Sequence, residues 1–286
     1  MKLKLAFSPC PNDTFIFDAL IHSKIDTRGY QFEVLYEDVE NLNKGVFDEQ
    51  YDISKLSYHA YAYARNNYQL LNSGSALGFG VGPLIICKDP SLIDKINENT
   101  IDLKSLKVAI PGVYTTANFL LGIAYPAITN KVTMLFSSIE EAVVQGEVDL
   151  GLIIHENRFT YSDKGLFKVE DLGEYWERTT QHPIPLGGIA VKRSLPDGVK
   201  KDINELIKES IEYAFKNPYS SKSFIKSLSQ EMDDEVIKQH IDLYVNKFSI
   251  DLGSVGKEAI MFLMNKAIEL ELIPQIDEDL FLNSIR

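Results

Sequence analysis

Along the first two-thirds of the chain, short apolar runs alternate with stretches whose apolar residues recur at helical spacing. Strands are predicted over residues 2–7, 31–36, 53–56, 83–88, 107–110, 132–136, 150–154 and 184–192. Amphipathic helices are predicted between several of them, at 14–23, 57–66, 116–124 and 139–145. From about residue 197 the pattern changes: 202–216, 220–228, 233–246 and 255–270 all read as helices with no strand between them. No internal repeat or low-complexity segment interrupts the order.

Alternating strands and helices followed by a helical run imply an α/β fold of two lobes. The polar, charged stretch 88–100 reads as the exit from the first lobe, and 183–188, with two prolines and two glycines, as the return. The expected lobes are therefore residues 1–87 plus 190–286, including the helical C-terminal run, and residues 88–189. Two crossings between lobes are the connectivity of periplasmic-binding-protein-like (type II) folds, whose lobes close on a ligand by hinge bending. The ligand cleft is expected between the lobes, at the carboxyl ends of both sheets.

Composition narrows the partners. The chain has 286 residues, 45% hydrophobic and 10% aromatic, enough for a substantial core. Lys and Arg total 29 against 41 Asp and Glu, a formal charge of −12, which argues against nucleic acid or an anionic membrane as partner. A small anionic ligand then needs a local site built against the overall field. Cys10 and Cys87 are the only cysteines, too few for a disulfide framework and without metal-ligand spacing. The N-terminus enters a strand directly, with no signal-peptide pattern, and no stretch reaches the ~20 apolar residues of a membrane span. A cytoplasmic protein with no membrane insertion is expected.

Several segments could carry chemistry. Residues 8–17, Ser-Pro-Cys-Pro-Asn-Asp-Thr-Phe-Ile-Phe, follow the first strand. Their two prolines stop either flanking element from continuing, and Asn12, Asp13 and Thr14 offer N-cap oxygens for a helix. Lys55 sits inside an apolar strand, where a lysine either snorkels or meets an anion. Ser57 reads as the N-cap of the next helix, whose first amides could also face a ligand. Gly78, Gly80 and Gly82 alternate before a strand, which is not a dinucleotide fingerprint; the segment is either flexible or closely packed. Pro111-Gly112-Val113-Tyr114-Thr115-Thr116 places two hydroxyls at a helix start, an arrangement that suits a carboxylate and equally a simple threonine cap.

His155 ends the apolar strand 150–154 and is followed by Glu156, Asn157 and Arg158. Neighbouring strand side chains point to opposite faces, so neither Glu156 nor Asn157 is expected to orient it. The other histidines are weaker candidates: His22 and His240 fall in helices, His59 in a tyrosine-rich helix and His182 before a proline. The single Trp176 reads as helix packing.

Taken together, residues 8–17, Glu37-Asp38-Val39-Glu40, Lys55-Leu56-Ser57-Tyr58, Gly80-Val81-Gly82-Pro83, Thr115-Thr116, Gly146-Glu147-Val148, residues 151–158, Phe159-Thr160-Tyr161, Pro185-Leu186-Gly187 and Tyr244-Val245-Asn246 resemble the 1,4-dihydroxy-6-naphthoate synthase family of menaquinone biosynthesis. The resemblance spans most of the chain and rests on the combination. It implies a two-lobe fold without metal or organic cofactor, a small-molecule carboxylate substrate, substrate contacts at Lys55, Leu56, Ser57, Thr115 and Thr116, and a catalytic base at His155. It further implies a carbon–carbon lyase of the futalosine pathway, which cleaves cyclic dehypoxanthine futalosine to 1,4-dihydroxy-6-naphthoate and dihydroxyacetone. The alternatives are chorismate dehydratase, a homologous enzyme of the same pathway, and a non-catalytic small-anion-binding protein of the same fold. The Ser-Pro-Cys-Pro-Asn-Asp-Thr opening and the setting of His155 favour the synthase; the absence of a secretion signal speaks against a solute receptor.

Overall fold

The computed structural model describes residues 1–229, 233–273, 275–276 and 279–282. The chain divides into two compact units, Met1–Gly78 with Pro185–Arg286, and Phe79–Ile184. The sequence reading set its boundaries later, after residues 87 and 189. The division falls earlier because the strand at 84–87 hydrogen-bonds into the second sheet, while the strand at 184–192 pairs over residues 187–192 within the first.

The first unit opens with β1 (Lys2–Phe7), α1 (Pro11–Ile21), β2 (Gln31–Tyr36), α2 (Val39–Phe47), β3 (Ile53–Ser57), α3 (Tyr58–Ala64), β4 (Tyr68–Leu70) and β5 (Ala76–Gly78). In the second unit follow β6 (Leu84–Cys87), α4 (Ser91–Asn97), β7 (Val108–Ile110), α5 (Thr116–Ala124), β8 (Lys131–Thr133), α6 (Ile139–Val144), β9 (Leu150–Ile153), α7 (Asn157–Thr160), β10 (Phe167–Asp171) and α8 (Leu172–Thr180). The chain returns through β11 (Ile184–Lys192) and ends in α9 (Asp197–Lys216), α10 (Lys222–Leu228), α11 (Asp234–Tyr244), α12 (Lys247–Ile250) and α13 (Gly253–Glu269).

The first sheet runs β2-β1-β3-β11-β4, with β5 also on β11; β1 is parallel to β2 and β3, and β11 is antiparallel to β3 and β4. Its core joins Leu3, Leu5 and Phe7 of β1 to Phe15 and Phe17 of α1 and to Ile203, Leu206 and Ile207 of α9. The Phe7 and Phe17 rings stack at 4.3 Å. The helical tail thus supplies one wall of this core, covering apolar surface on the sheet that includes its parallel β2-β1-β3 part. The second sheet runs β10-β6-β9-β7-β8 over a separate core that includes Ile86, Ala109, Ile139, Val143 and Ile153.

Predicted and observed bounds part at several places; α9, for one, begins at Asp197, five residues before its predicted start. Residues 132–136 form only the short β8, because the chain turns into a 3-10 helix at Phe136–Ser138. The first helix begins at Pro11 with Cys10 as N-cap, so Asn12 and Asp13 lie in its first turn and do not cap it. The strand before His155 ends at Ile153. Among the described residues no helix is long and apolar enough to cross a membrane.

Candidate active site

In the first unit the chemistry gathers at the carboxyl ends of β1 and β3. Proline at the first helical position holds α1 in register directly after the strand, which brings Asp13 under the turn. Asp13 is 2% exposed, and its Oδ2 accepts from the Ser8 hydroxyl at 2.8 Å and the Ser8 N–H at 3.3 Å. Its Oδ1 accepts from Asn12 Nδ2 at 2.8 Å and lies 3.1 Å from Lys55 Nζ. Lys55 also donates to the Gly74 carbonyl at 3.0 Å. Of the two alternatives for this strand lysine, the ion pair is the one observed, and the anion is the chain's own Asp13. A buried charge pair supported by further hydrogen bonds avoids much of the penalty of an isolated buried ion. On the far side of the network, Asn12 Oδ1 meets His240 Nε2 at 2.9 Å, which ties the turn to α11.

Ser57 occupies the N-cap position of α3, yet its side chain makes no cap. Asn43 of α2 brackets it: the Ser57 N–H donates to Asn43 Oδ1 at 2.9 Å, and Asn43 Nδ2 donates to Ser57 Oγ at 3.2 Å. Strand alternation puts Lys55 and Ser57 on one face and Leu56, 1% exposed, on the other, so toward the Lys55 face Leu56 presents main chain only. Opposite these residues β11 carries Gly187 and Gly188, paired with Ser57 and Leu56. A Cβ at Gly188 would lie 2.9 Å from the Tyr58 hydroxyl, so only glycine lets that ring lie there. The Tyr58 hydroxyl is 2.7 Å from Ser75 Oγ, and burial holds this phenol well above its ordinary pKa.

In the second unit, Thr115 caps α5: its hydroxyl accepts from the Asn118 N–H at 3.2 Å and donates to the Gly112 carbonyl at 2.8 Å. Thr116 is the first helical residue, and both threonines are buried. The cap reading of this motif is therefore realised by Thr115, with Thr116 beside the positive end of the helix.

His155 leaves the strand altogether. It adopts φ 59°, the left-handed region, in the turn between β9 and α7. The alternation rule that separated it from Glu156 does not apply in a turn: a ring nitrogen of His155 and a carboxylate oxygen of Glu156 lie within 4.8 Å. The Phe136 ring meets the imidazole edge-on at 5.1 Å. Just beyond, Arg158 Nη1 donates to the Gly82 carbonyl at 2.5 Å, and Nη2 to Asp171 Oδ2 at 2.7 Å. Asp171 Oδ1 accepts from the Gly173 and Glu174 amides and so caps α8. The glycine-rich stretch before β6 is closely packed at Gly82, where a Cβ would sit 2.6 Å from Gly173 Cα.

Asn43 was not singled out from the sequence, Asp13 was read only as a helix cap, and Glu156 only as a neighbour of His155 on the opposite face. Asp13 was visible as a polar residue after two prolines, but its partner Lys55 is 42 positions away; Asn43 lies in a helix whose alternation of Asn, Lys and Glu looks solvated.

A family model described as menaquinone biosynthesis matches residues 3–269. The chain belongs to this menaquinone-biosynthesis family. Two curated relatives, from Thermus thermophilus and Streptomyces coelicolor, are both named 1,4-dihydroxy-6-naphthoate synthase. The first is 43% identical over 265 residues, 93% of each chain, and the second 39% identical over 283 residues, 97% of this chain and 96% of the relative. Among solved structures, a protein of Archaeoglobus fulgidus is 34% identical with a TM-score of 0.87, covering 95% of this chain and 98% of its own. The ligand-binding component of an ABC-type import system from Staphylococcus aureus, at 13% identity, has a TM-score of 0.72 over 99% of this chain and 96% of its own. The periplasmic aliphatic sulphonate binding protein of Escherichia coli, at 12% identity, has one of 0.66 over 100% and 94%. The last two show the fold alone, and the fold is periplasmic-binding-protein-like. Within the menaquinone-biosynthesis family, that fold carries enzymes.

Proposed function

We propose that the protein is a 1,4-dihydroxy-6-naphthoate synthase: a cytoplasmic carbon–carbon lyase that cleaves cyclic dehypoxanthine futalosine to 1,4-dihydroxy-6-naphthoate and dihydroxyacetone. The observation that carries this reading is the match to two synthases of that name over more than nine-tenths of the chain. The substrate contacts in this reading are Lys55, Leu56, Ser57, Thr115 and Thr116, with His155 as the base.

His155 is the general base. Imidazole has an unperturbed pKa of about 6.5 and accepts a proton near neutral pH. It removes a proton next to a carbonyl; the electron pair left behind passes through an enolate, the carbon–carbon bond breaks, and the ring becomes aromatic. The departing three-carbon fragment takes up a proton as it leaves. Aromatisation supplies driving force. Its setting on a non-glycine left-handed turn supports the role, since such conformations cluster at functional sites. Because Lys55 is already neutralised by Asp13 and donates to the Gly74 carbonyl, its remaining N–H serves the substrate without net charge. The carboxylate is gripped by Thr116 and the first-turn amides of α5, where helix polarity favours an anion.

Purified protein incubated with cyclic dehypoxanthine futalosine, and separately with chorismate, tests the reading by product identification. Naphthoate and dihydroxyacetone in equal amounts from the first, and no change in the second, are expected. Dehydration of chorismate without naphthoate formation would overturn it in favour of the dehydratase.

A further inference from the structure

The turn that carries His155 is tied to its unit through the two residues after Glu156, and one tie ends on a buried acid. Asn157, 7% exposed, donates from Nδ2 to Glu140 Oε2 at 2.6 Å. Glu140 stands in the first turn of α6 and is 1% exposed. The same oxygen takes Lys164 Nζ at 2.5 Å, while Oε1 has no hydrogen-bond partner among the described residues. A buried carboxylate with one oxygen unsatisfied is costly, and the roughly 0.3–1 kcal/mol that a first-turn acid gains from the helix dipole does not offset this. The acid is therefore explained by what it holds and not by the stability of its own helix.

What it holds is the His155 segment. Phe136, in the 3-10 helix that leads into α6, touches the imidazole ring, and Glu140, four residues on, grips Asn157. One short stretch of chain thus touches both the ring and the side chain of the second residue after it. On the other side Arg158 is fastened to Gly82 and Asp171. A left-handed non-glycine residue costs about 1–3 kcal/mol and persists only where the surroundings over-determine it. Arg158 secures the helix after the turn; Glu140 acts one residue nearer to His155.

We infer that Glu140, acting through Asn157, is a positioning residue that holds the His155 imidazole in its working orientation. The inference rests on the reading of His155 as the base. Without the tie the turn can relax toward right-handed backbone, which swings the ring away from the proton it must take. Misplacement by about 1 Å at a reacting centre costs on the order of 10²-fold in rate. Substrate contacts lie elsewhere in the proposed site, so KM is expected to be spared.

The test uses the full-length protein and the variants Glu140→Ala, Asn157→Ala, the double variant and Glu140→Gln, with steady-state kinetics on cyclic dehypoxanthine futalosine. Each alanine variant is expected to lower kcat by about 10–10²-fold with KM within about twofold. The double variant is expected to be no worse than the poorer single one, because both break the same tie. Glu140→Gln keeps an oxygen for Asn157 and is expected to recover most of kcat, which a merely structural loss would not do. The ring NMR signals of His155, assigned by their disappearance in His155→Asn, are expected to shift in both alanine variants and to return in Glu140→Gln. Wild-type kcat in folded Glu140→Ala, multiplying losses in the double variant, or unmoved His155 signals would overturn the inference. Retained turnover in His155→Asn would overturn the base itself, and the ring signals would then still report whether Glu140 holds the turn.

Discussion

At the carboxyl end of β3, Lys55 and Ser57 keep regular strand geometry, and the side-chain network around them is dense: Asp13 takes Lys55, Asn43 brackets Ser57, and Asn12 reaches His240. After β9, His155 gives up strand geometry for a left-handed turn, fastened mainly through the residues that follow it. The first region ties most of its polar groups to one another. The second holds a strained backbone and keeps a ring at intermediate exposure. The difference matches the proposed division of labour. Groups that recognise a ligand are best held rigid before it arrives, whereas a base needs its ring presented at a defined angle to the proton it takes.

Breaking the network is expected to have the largest effect on stability. Lys55→Met leaves Asp13 buried without its cation, and removal of one partner from a buried pair costs about 3–5 kcal/mol. Urea unfolding monitored by circular dichroism measures this. Adding Asp13→Asn to Lys55→Met is expected to recover part of the loss; a single variant within 1 kcal/mol of wild type by this rough scale would show the network to be dispensable.

The two threonines of α5 are expected to separate. Thr115→Val removes an N-cap and costs about 0.5–2 kcal/mol of stability. Thr116→Val leaves the cap in place and weakens substrate binding, read by calorimetry on an inactive background. Equal stability of the two variants, or unchanged affinity in both, would dissolve the distinction between cap and contact.

His155→Gly sharpens the comparison from the other side. Glycine adopts φ 59° without strain, so the variant is expected to match or exceed wild-type stability by up to about 1 kcal/mol while losing turnover. A clear loss of stability would mean that ring packing on Phe136 outweighs the backbone strain.

The smallest effect concerns Glu177, which accepts the Gly80 N–H at 2.7 Å. Burial is the main reason its carboxyl lies above the ordinary 4.5, opposed by that hydrogen bond. The protonated form is favoured in the folded protein, so this group's contribution is fully present below pH 4.5 and is lost as pH rises through the raised value. Glu177→Gln removes that slope while keeping an acceptor for Gly80. A slightly smaller fall in Tm between acid and neutral pH is expected in the variant.

Much of the scaffold was legible because it follows local rules. β1, β2 and β11 are apolar runs whose ends coincide with polar or proline-containing turns, and α5 begins at the threonine cap. The three-residue strands β4 and β5 were missed, as was β10, whose Phe-Lys-Val-Glu-Asp run is too polar to stand out. Short strands like these are defined by the neighbours they pair with, which periodicity does not carry. Lys55 and His155 were visible as oddities within apolar strands. The pairing of Asp13 with Lys55 and the role of Glu140 were not, since each partnership joins side chains distant in sequence through a buried contact. The left-handed turn at His155 was also hidden: nothing in Ile-Ile-His-Glu marks it, because the strain is imposed by the surrounding packing and not by a glycine or asparagine.

The most direct measurement is turnover and binding by His155→Asn. Asparagine tolerates the left-handed backbone, so the turn survives while the imidazole is lost. The account predicts a folded protein that binds cyclic dehypoxanthine futalosine with near wild-type affinity and releases naphthoate about 10²–10⁴-fold more slowly. A folded His155→Asn protein with near-normal kcat would contradict it and remove His155 from the chemistry.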